Sequence, residues 1–235
     1  MGEGDASDLT RRLHRAVERV GPYLARFGAE LPQTTRIAVD PGLEAGALAS
    51  HRYPATVVVR EPAVPESVIA HELVHIAQHT LEQFHGFTLL YTLLAEGLAD
   101  WIAKTLYPEH QVKYEAGYAL IDTLSAHDPS CAYELLAING LPLTPADVDF
   151  LITHPRLPAH TRRLLTPILQ RGRDSVAEAA RAGIDDLTFV TLGEELRACK
   201  FLRSPRFDPV RERLDALVDE WFAAASAGVK RCTGG

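Results

Sequence analysis

An α+β fold in which helices predominate is what this sequence predicts, and three observations predict it. Apolar residues recur at helical spacing through the first third of the chain, two short β-branched runs interrupt that pattern, and beyond Pro108 the periodicity is helical to near the end. With 235 residues and 46% hydrophobic content, the chain can bury a sizeable core in one large domain, or in one domain with a helical extension.

Taken in order, Leu9, Leu13, Ala16, Val17 and Val20 line one face of an amphipathic helix over 8–20, which Gly21-Pro22 punctuates. Thr35-Arg36-Ile37-Ala38-Val39 and Ala55-Thr56-Val57-Val58-Val59, bounded by Pro, Gly or Asp, read as strands of a small sheet. From Glu66 to Ala77 the chain has the apolar content of a buried helix with no Gly or Pro. Phe87 to Leu106 reads as a second buried helix. Further helical segments follow near 112–125, 130–138, 144–153, 158–170, 174–182, 192–202 and 207–227, with Gly and Pro at the breaks. Thr144-Pro145 and Asp208-Pro209 look like helix starts with proline at the first position. His127-Asp128-Pro129 suggests a turn between an N-terminal part, 1–126, and a helical C-terminal part, 127–235, with a soft boundary.

The first buried helix carries His71-Glu72-Leu73-Val74-His75, the HExxH pattern of a zinc site. Residues four apart lie on one helix face, about 6 Å apart along the axis at ~1.5 Å per residue, so both imidazoles can reach one ion. Glu72 follows the first ligand, and its carboxylate can take a proton from a water at the ion's open position. A structural zinc site would be closed by four ligands, usually rich in Cys, and no Cys lies near this helix.

A catalytic zinc ordinarily takes three protein ligands, and Glu96 is the best third. It lies on the second buried helix among Leu93, Leu94, Leu98 and Trp101, where a carboxylate needs a partner. Asp100, one turn on, faces the same way and can accept a hydrogen bond from the outer ring nitrogen of His71 or His75, fixing its tautomer.

HELVH followed by Glu96-Gly97-Leu98-Ala99-Asp100 resembles the gluzincins, the zinc peptidases built like thermolysin and the aminopeptidase N family. In them HExxH is followed by a helix with a glutamate ligand and an acid four residues on. The metzincin pattern fits poorly, since Leu81 stands where its third histidine would be. His75 followed by Gln78, then EGxA, is also similar to small bacterial zinc peptidases with HExxHxxQ. Downstream, Tyr114-Glu115-Ala116-Gly117 looks like the aminopeptidase helix whose tyrosine stabilises the oxyanion, with Ala116 in place of the usual lysine and no Gly-x-Met-Glu-Asn segment upstream. The resemblance covers roughly residues 55 to 120. It implies a zincin-like catalytic core, Zn²⁺ held by His71, His75 and Glu96, Glu72 as general base, and Tyr114, with Tyr118 as substitute, at the oxyanion. By the same resemblance the strand at Thr56–Val59 is the edge that pairs with an extended peptide, although a core strand has the same composition.

Two further histidines and an arginine lie in His154-Pro155-Arg156-Leu157-Pro158-Ala159-His160, which can supply oxyanion or carboxylate contacts and is equally the make-up of an interhelix loop. The net charge of -7 and the lack of a basic stripe argue against nucleic acid as a partner. The acidic, polar start and the absence of a spanning apolar run argue against secretion and membrane insertion. Three widely spaced cysteines, Cys131, Cys199 and Cys232, suit free thiols in a reducing compartment, so a cytoplasmic location is expected. The expected function is a zinc metallopeptidase cleaving a peptide or protein substrate. The alternatives are a zinc enzyme acting on a small molecule, or a metal-stabilised binding or regulatory protein without catalysis.

Overall fold

Helix α1, Glu3–Ala25, is longer than its sequence periodicity predicts and runs through Pro22. The apolar stripe explains the extension: Leu9, Leu13, Ala16 and Val20 are continued by Leu24, each at most 3% exposed. Burying one more leucine, which contributes on the order of 2 kcal/mol, offsets a single missing backbone bond near the helix end. The stop comes at Gly28, whose φ of 75° is a left-handed value that favours glycine. There the Ala29 N–H donates to the Leu24 carbonyl at 3.2 Å and the Gly28 N–H to the Ala25 carbonyl at 3.0 Å, the paired bonds of a Schellman cap.

This computed structural model describes residues 3–43, 46–50, 55–78, 89–138, 194 and 197–232. Its sheet has three strands, β1 (Arg36–Val39), β2 (Ala47–Ser50) and β3 (Thr56–Val59), in the order β1-β3-β2. β1 runs parallel to β3, and β2 antiparallel to it. Of the two readings of Thr56–Val59, the substrate-pairing edge is therefore ruled out and the core strand holds. β3 is the central strand, and its Val57 and Val59 are fully buried. Strand β2 had no sequence signal, since Ala-Leu-Ala-Ser lacks the β-branched residues that mark strands, yet it holds the edge that packs on the next helix.

The remaining described elements are helices: α2 (Glu66–Gln78), α3 (Leu89–Leu106), α4 (Glu115–His127), α5 (Cys131–Leu136), a 3₁₀ helix (Pro205–Val210) and α6 (Arg211–Cys232), with residues 197–202 also helical. The fold is thus α+β and mostly helical. α2 lies between α1 and α3, α4 packs on α3, and α6 on α4. Eleven residues of α2 are buried, as expected of a helix apolar on most of its surface. Its first turn is fixed by Glu66, which accepts from the Tyr107 hydroxyl at 2.9 Å and from Arg15 Nε at 2.8 Å.

The last helix begins at Arg211 rather than 207, because Pro205 and Pro209 sit in the 3₁₀ segment and donate no backbone bond. Arg206 fastens that segment to the α4–α5 turn through a bidentate pair with Glu134 at 2.5 and 2.6 Å and a bond to Asp128 at 3.2 Å. Phe207, Leu214 and Leu217 share one apolar core with Leu120 and Leu124 of α4. The helices expected at 144–153, 158–170 and 174–182 lie outside the described residues. Among the described residues no helix is long and apolar enough to cross a membrane.

Candidate metal centre

Three ligand-type atoms meet where α2 faces α3. His71 Nε2 and His75 Nε2 are 3.0 Å apart, and each is 3.2 Å from Glu96 Oε2. Donors bonded to one ion at ~2.0–2.1 Å with tetrahedral angles stand about 3.3 Å from each other, so the triangle has the size of three zinc ligands. The residues are 7, 5 and 5% exposed. Together they could hold a metal ion.

The outer nitrogens fix the tautomers. His75 Nδ1 is 2.8 Å from Gln78 Oε1, and Gln78 Nε2 donates to the Ala95 carbonyl at 3.1 Å. A carbonyl can only accept, so the Gln78 amide nitrogen must face Ala95 and its oxygen must face His75, which makes His75 Nδ1 a donor. His71 Nδ1 lies 2.9 Å from Asp100 Oδ1, an acceptor in its ionised form, and is a donor too. Both Nε2 lone pairs therefore point at each other and at a carboxylate oxygen. Three acceptors at ~3 Å repel unless a proton or a cation lies among them.

The electrostatics follow the same logic. Burial lowers the proton affinity of His71, but hydrogen bonds to Asp100 and Glu96 and the charge of Glu72 more than offset it, and its pKa is pushed up to about 10. His75 is also raised, burial being outweighed by Glu96. Burial alone would raise Glu96, yet the two imidazoles bring it well below the ordinary carboxylate value. The pocket attracts positive charge.

Glu72 is 7% exposed, and burial raises its pKa against the opposing pull of His71, His75 and Lys113, so it is a stronger base than an ordinary carboxylate. Tyr114 is half-buried at the N-cap of α4, its ring 6.1 Å from that of Trp221. Burial first, then the charges of Glu96, Asp100 and Glu72, push its hydroxyl pKa up, which keeps it a neutral donor within the field of all three carboxylates.

Asp100, 0% exposed, does more than orient one imidazole. Its Oδ1 meets both His71 and His110 Nε2, the latter at 2.9 Å, and its Oδ2 accepts from the backbone N–H groups of Lys113 and Tyr114, each at 2.9 Å. One carboxylate thus ties a candidate ligand histidine to the start of α4. Tyr118, one turn further on, is half-buried, and its backbone N–H donates to the Tyr114 carbonyl at 2.8 Å. His154 and His160 lie outside the described residues.

The sequence marks Gln78 only through the HExxHxxQ resemblance, with no contact assigned to it, and gives no role to His110 or Lys113. Gln78 had a signal, being three residues past His75 on one helix face. His110 had none, since the turn at Pro108 and not a helical period returns it to Asp100. Replacing Gln78 by Leu removes the acceptor that fixes His75, and metal affinity is expected to fall about tenfold in a chelator competition; unchanged affinity would mean that the backbone alone holds the ring.

Comparison with protein-family models, curated proteins and solved structures finds no match to this chain.

Proposed function

We propose that the chain is a zinc-dependent hydrolase with a zincin-like core, and specifically a metallopeptidase. The observation that carries this reading is the meeting of two imidazole lone pairs and one carboxylate oxygen at 3.0–3.2 Å, with Glu72 beside them. His71, His75 and Glu96 would hold the ion. Bound there, zinc would lower the pKa of water and polarise a carbonyl.

The chain's own groups account for the other parts of amide hydrolysis. Glu72, buried and of raised basicity, takes the proton of the attacking water and returns it to the leaving nitrogen. The Tyr114 hydroxyl, held neutral by burial and neighbouring carboxylates, donates to the developing oxyanion. Asp100 keeps His71 in its ligand tautomer and holds the backbone of Tyr114 in place. Strand β2, at an edge of the sheet and lying against α2, would be the strand with which an extended substrate pairs, the central β3 having no free edge.

Elemental mass spectrometry of the purified protein tests the centre before its substrate. About one zinc per chain is expected, lost in His75→Ala and in Glu96→Ala, since two of the three ligands do not retain the ion against buffer. Zinc retained by the Glu96 variant would move the third ligand elsewhere. Absence of zinc from the reconstituted wild type would end the metal reading. Given zinc, a peptide-library digest read by mass spectrometry separates peptidase from small-molecule chemistry.

A further inference from the structure

We propose that His110 is a positioning residue for the metal centre, acting through Asp100 on His71 and on the start of α4. This rests on the metal reading above. The carboxylate of Asp100 has about four acceptor positions, and four donors fill them: His71 Nδ1, His110 Nε2 and the N–H groups of Lys113 and Tyr114. Three of these arms lead to the candidate ligand or to the backbone that enters α4. The fourth, His110, leads to neither and shares Oδ1 with His71.

The setting of His110 fits that task. It is 4% exposed, its ring lies at 27° to that of His71 with centroids 6.0 Å apart, and its backbone is pinned at both polar groups. The N–H donates to the Tyr107 carbonyl at 2.8 Å, and the carbonyl accepts from Lys104 Nζ at 2.9 Å. A ring that only filled space would do better without nitrogens, because His110 Nδ1 is buried with no hydrogen-bond partner among the described residues. What the imidazole supplies is the Nε2–H bond to Asp100. Without it Asp100 keeps three of its four bonds, and the carboxylate that His71 and the start of α4 share is held less firmly.

His71, Asp100 and His110 also lie close enough to hold a second ion. The short contacts argue for protons there instead: each imidazole nitrogen is 2.9 Å from the same Asp100 oxygen, the length of an N–H···O bond.

The test compares wild type with His110→Phe, which keeps a planar ring, slightly larger, and loses the donor, and with His110→Gln, whose amide N–H reaches about as far as Nε2. Zinc stoichiometry is read by elemental mass spectrometry and affinity by competition with a chromophoric chelator, after circular dichroism has established that each variant folds. Expected are one zinc per wild-type chain, affinity weakened about 10- to 100-fold in His110→Phe, and most of it regained in His110→Gln. The visible absorption of the cobalt(II)-loaded protein should change in the Phe variant and return in the Gln variant, which a loss of packing alone would not produce. If the Phe variant does not fold, His110→Asn replaces it, its shorter amide falling short of Asp100. Unchanged affinity in a folded donor-less variant overturns the proposal, as does equal weakening in the donor-less and Gln variants. Two zinc ions per wild-type chain, one of them lost on substitution, would overturn it in favour of a second site. A wild type that binds no zinc overturns the metal reading itself, which separates that failure from one confined to His110.

Discussion

On the proposed mechanism, Glu72→Gln should bind zinc as the wild type does and lose peptide-bond turnover by about 10²–10⁴-fold, the range contributed by a positioned general base. The substitution changes little in shape. Glutamine fills the space of glutamate, and the three ligand-type side chains belong to His71, His75 and Glu96, so stoichiometry and the circular dichroism spectrum should be preserved. Only the capacity to take and return a proton is removed. Burial has already raised the basicity of Glu72 above that of a surface carboxylate, which moves it toward the working range of a base near neutral pH. The loss should therefore fall on kcat, with KM nearly unaltered. Full activity with bound zinc would remove Glu72 from the mechanism. An inactive variant that has also lost its metal would show a structural effect and leave the base unassigned.

How much of this site was legible in the sequence depended on the range of each interaction. HELVH is spelled by helix geometry, so His71 and His75 could be paired from their spacing alone. Glu96 and Asp100 were legible because two carboxylates on a helix as apolar as Leu89–Leu106 must find partners, and they are 5 and 0% exposed. The choice of partner was not legible. Asp100 was assigned to either histidine, and only the fold joins it to His71 and His110 while Gln78 serves His75. In the sheet, β3 was readable from its valines, but its central place depended on β2, whose pairing is set by tertiary contact and not by propensity. The break predicted at Pro22 failed for the same reason, local preference yielding to the burial of Leu24.

A second large effect is expected at a position that reads in sequence as a weak point of a helix. Alanine is favoured over glycine inside a helix by ~1 kcal/mol, so propensity alone predicts that Gly97→Ala in α3 would stabilise the protein. Packing predicts the opposite. A Cβ on Gly97 would lie 2.4 Å from both the carbonyl carbon and oxygen of Gly117, and one on Gly117 would lie 2.7 Å from the Leu93 carbonyl oxygen. These are backbone atoms, which cannot rotate aside as a side chain can, so α3 and α4 would have to separate. Overpacking of this kind costs about 1–3 kcal/mol and sometimes more, which exceeds the propensity gain. For a chain of this length each kcal/mol is about 2–4 °C, so a net cost of about 1–2 kcal/mol lowers Tm by roughly 2–8 °C in Gly97→Ala. The damage should reach the metal centre. Glu96 adjoins Gly97, and Tyr114 at the start of α4 is held by Asp100 of α3, so separating the helices strains the Asp100 bonds that orient His71. Thermal melting with and without zinc reads both effects, the zinc-induced rise in Tm being smaller in the variant than in wild type. Because the two glycines meet at one crossing, Gly97→Ala with Gly117→Ala should cost less than the sum of the single changes, since helices already parted by the first methyl accommodate the second. A Tm at or above that of wild type would show that the helices do not touch there, and with that contact would go the account of how α4 is set against the metal ligands.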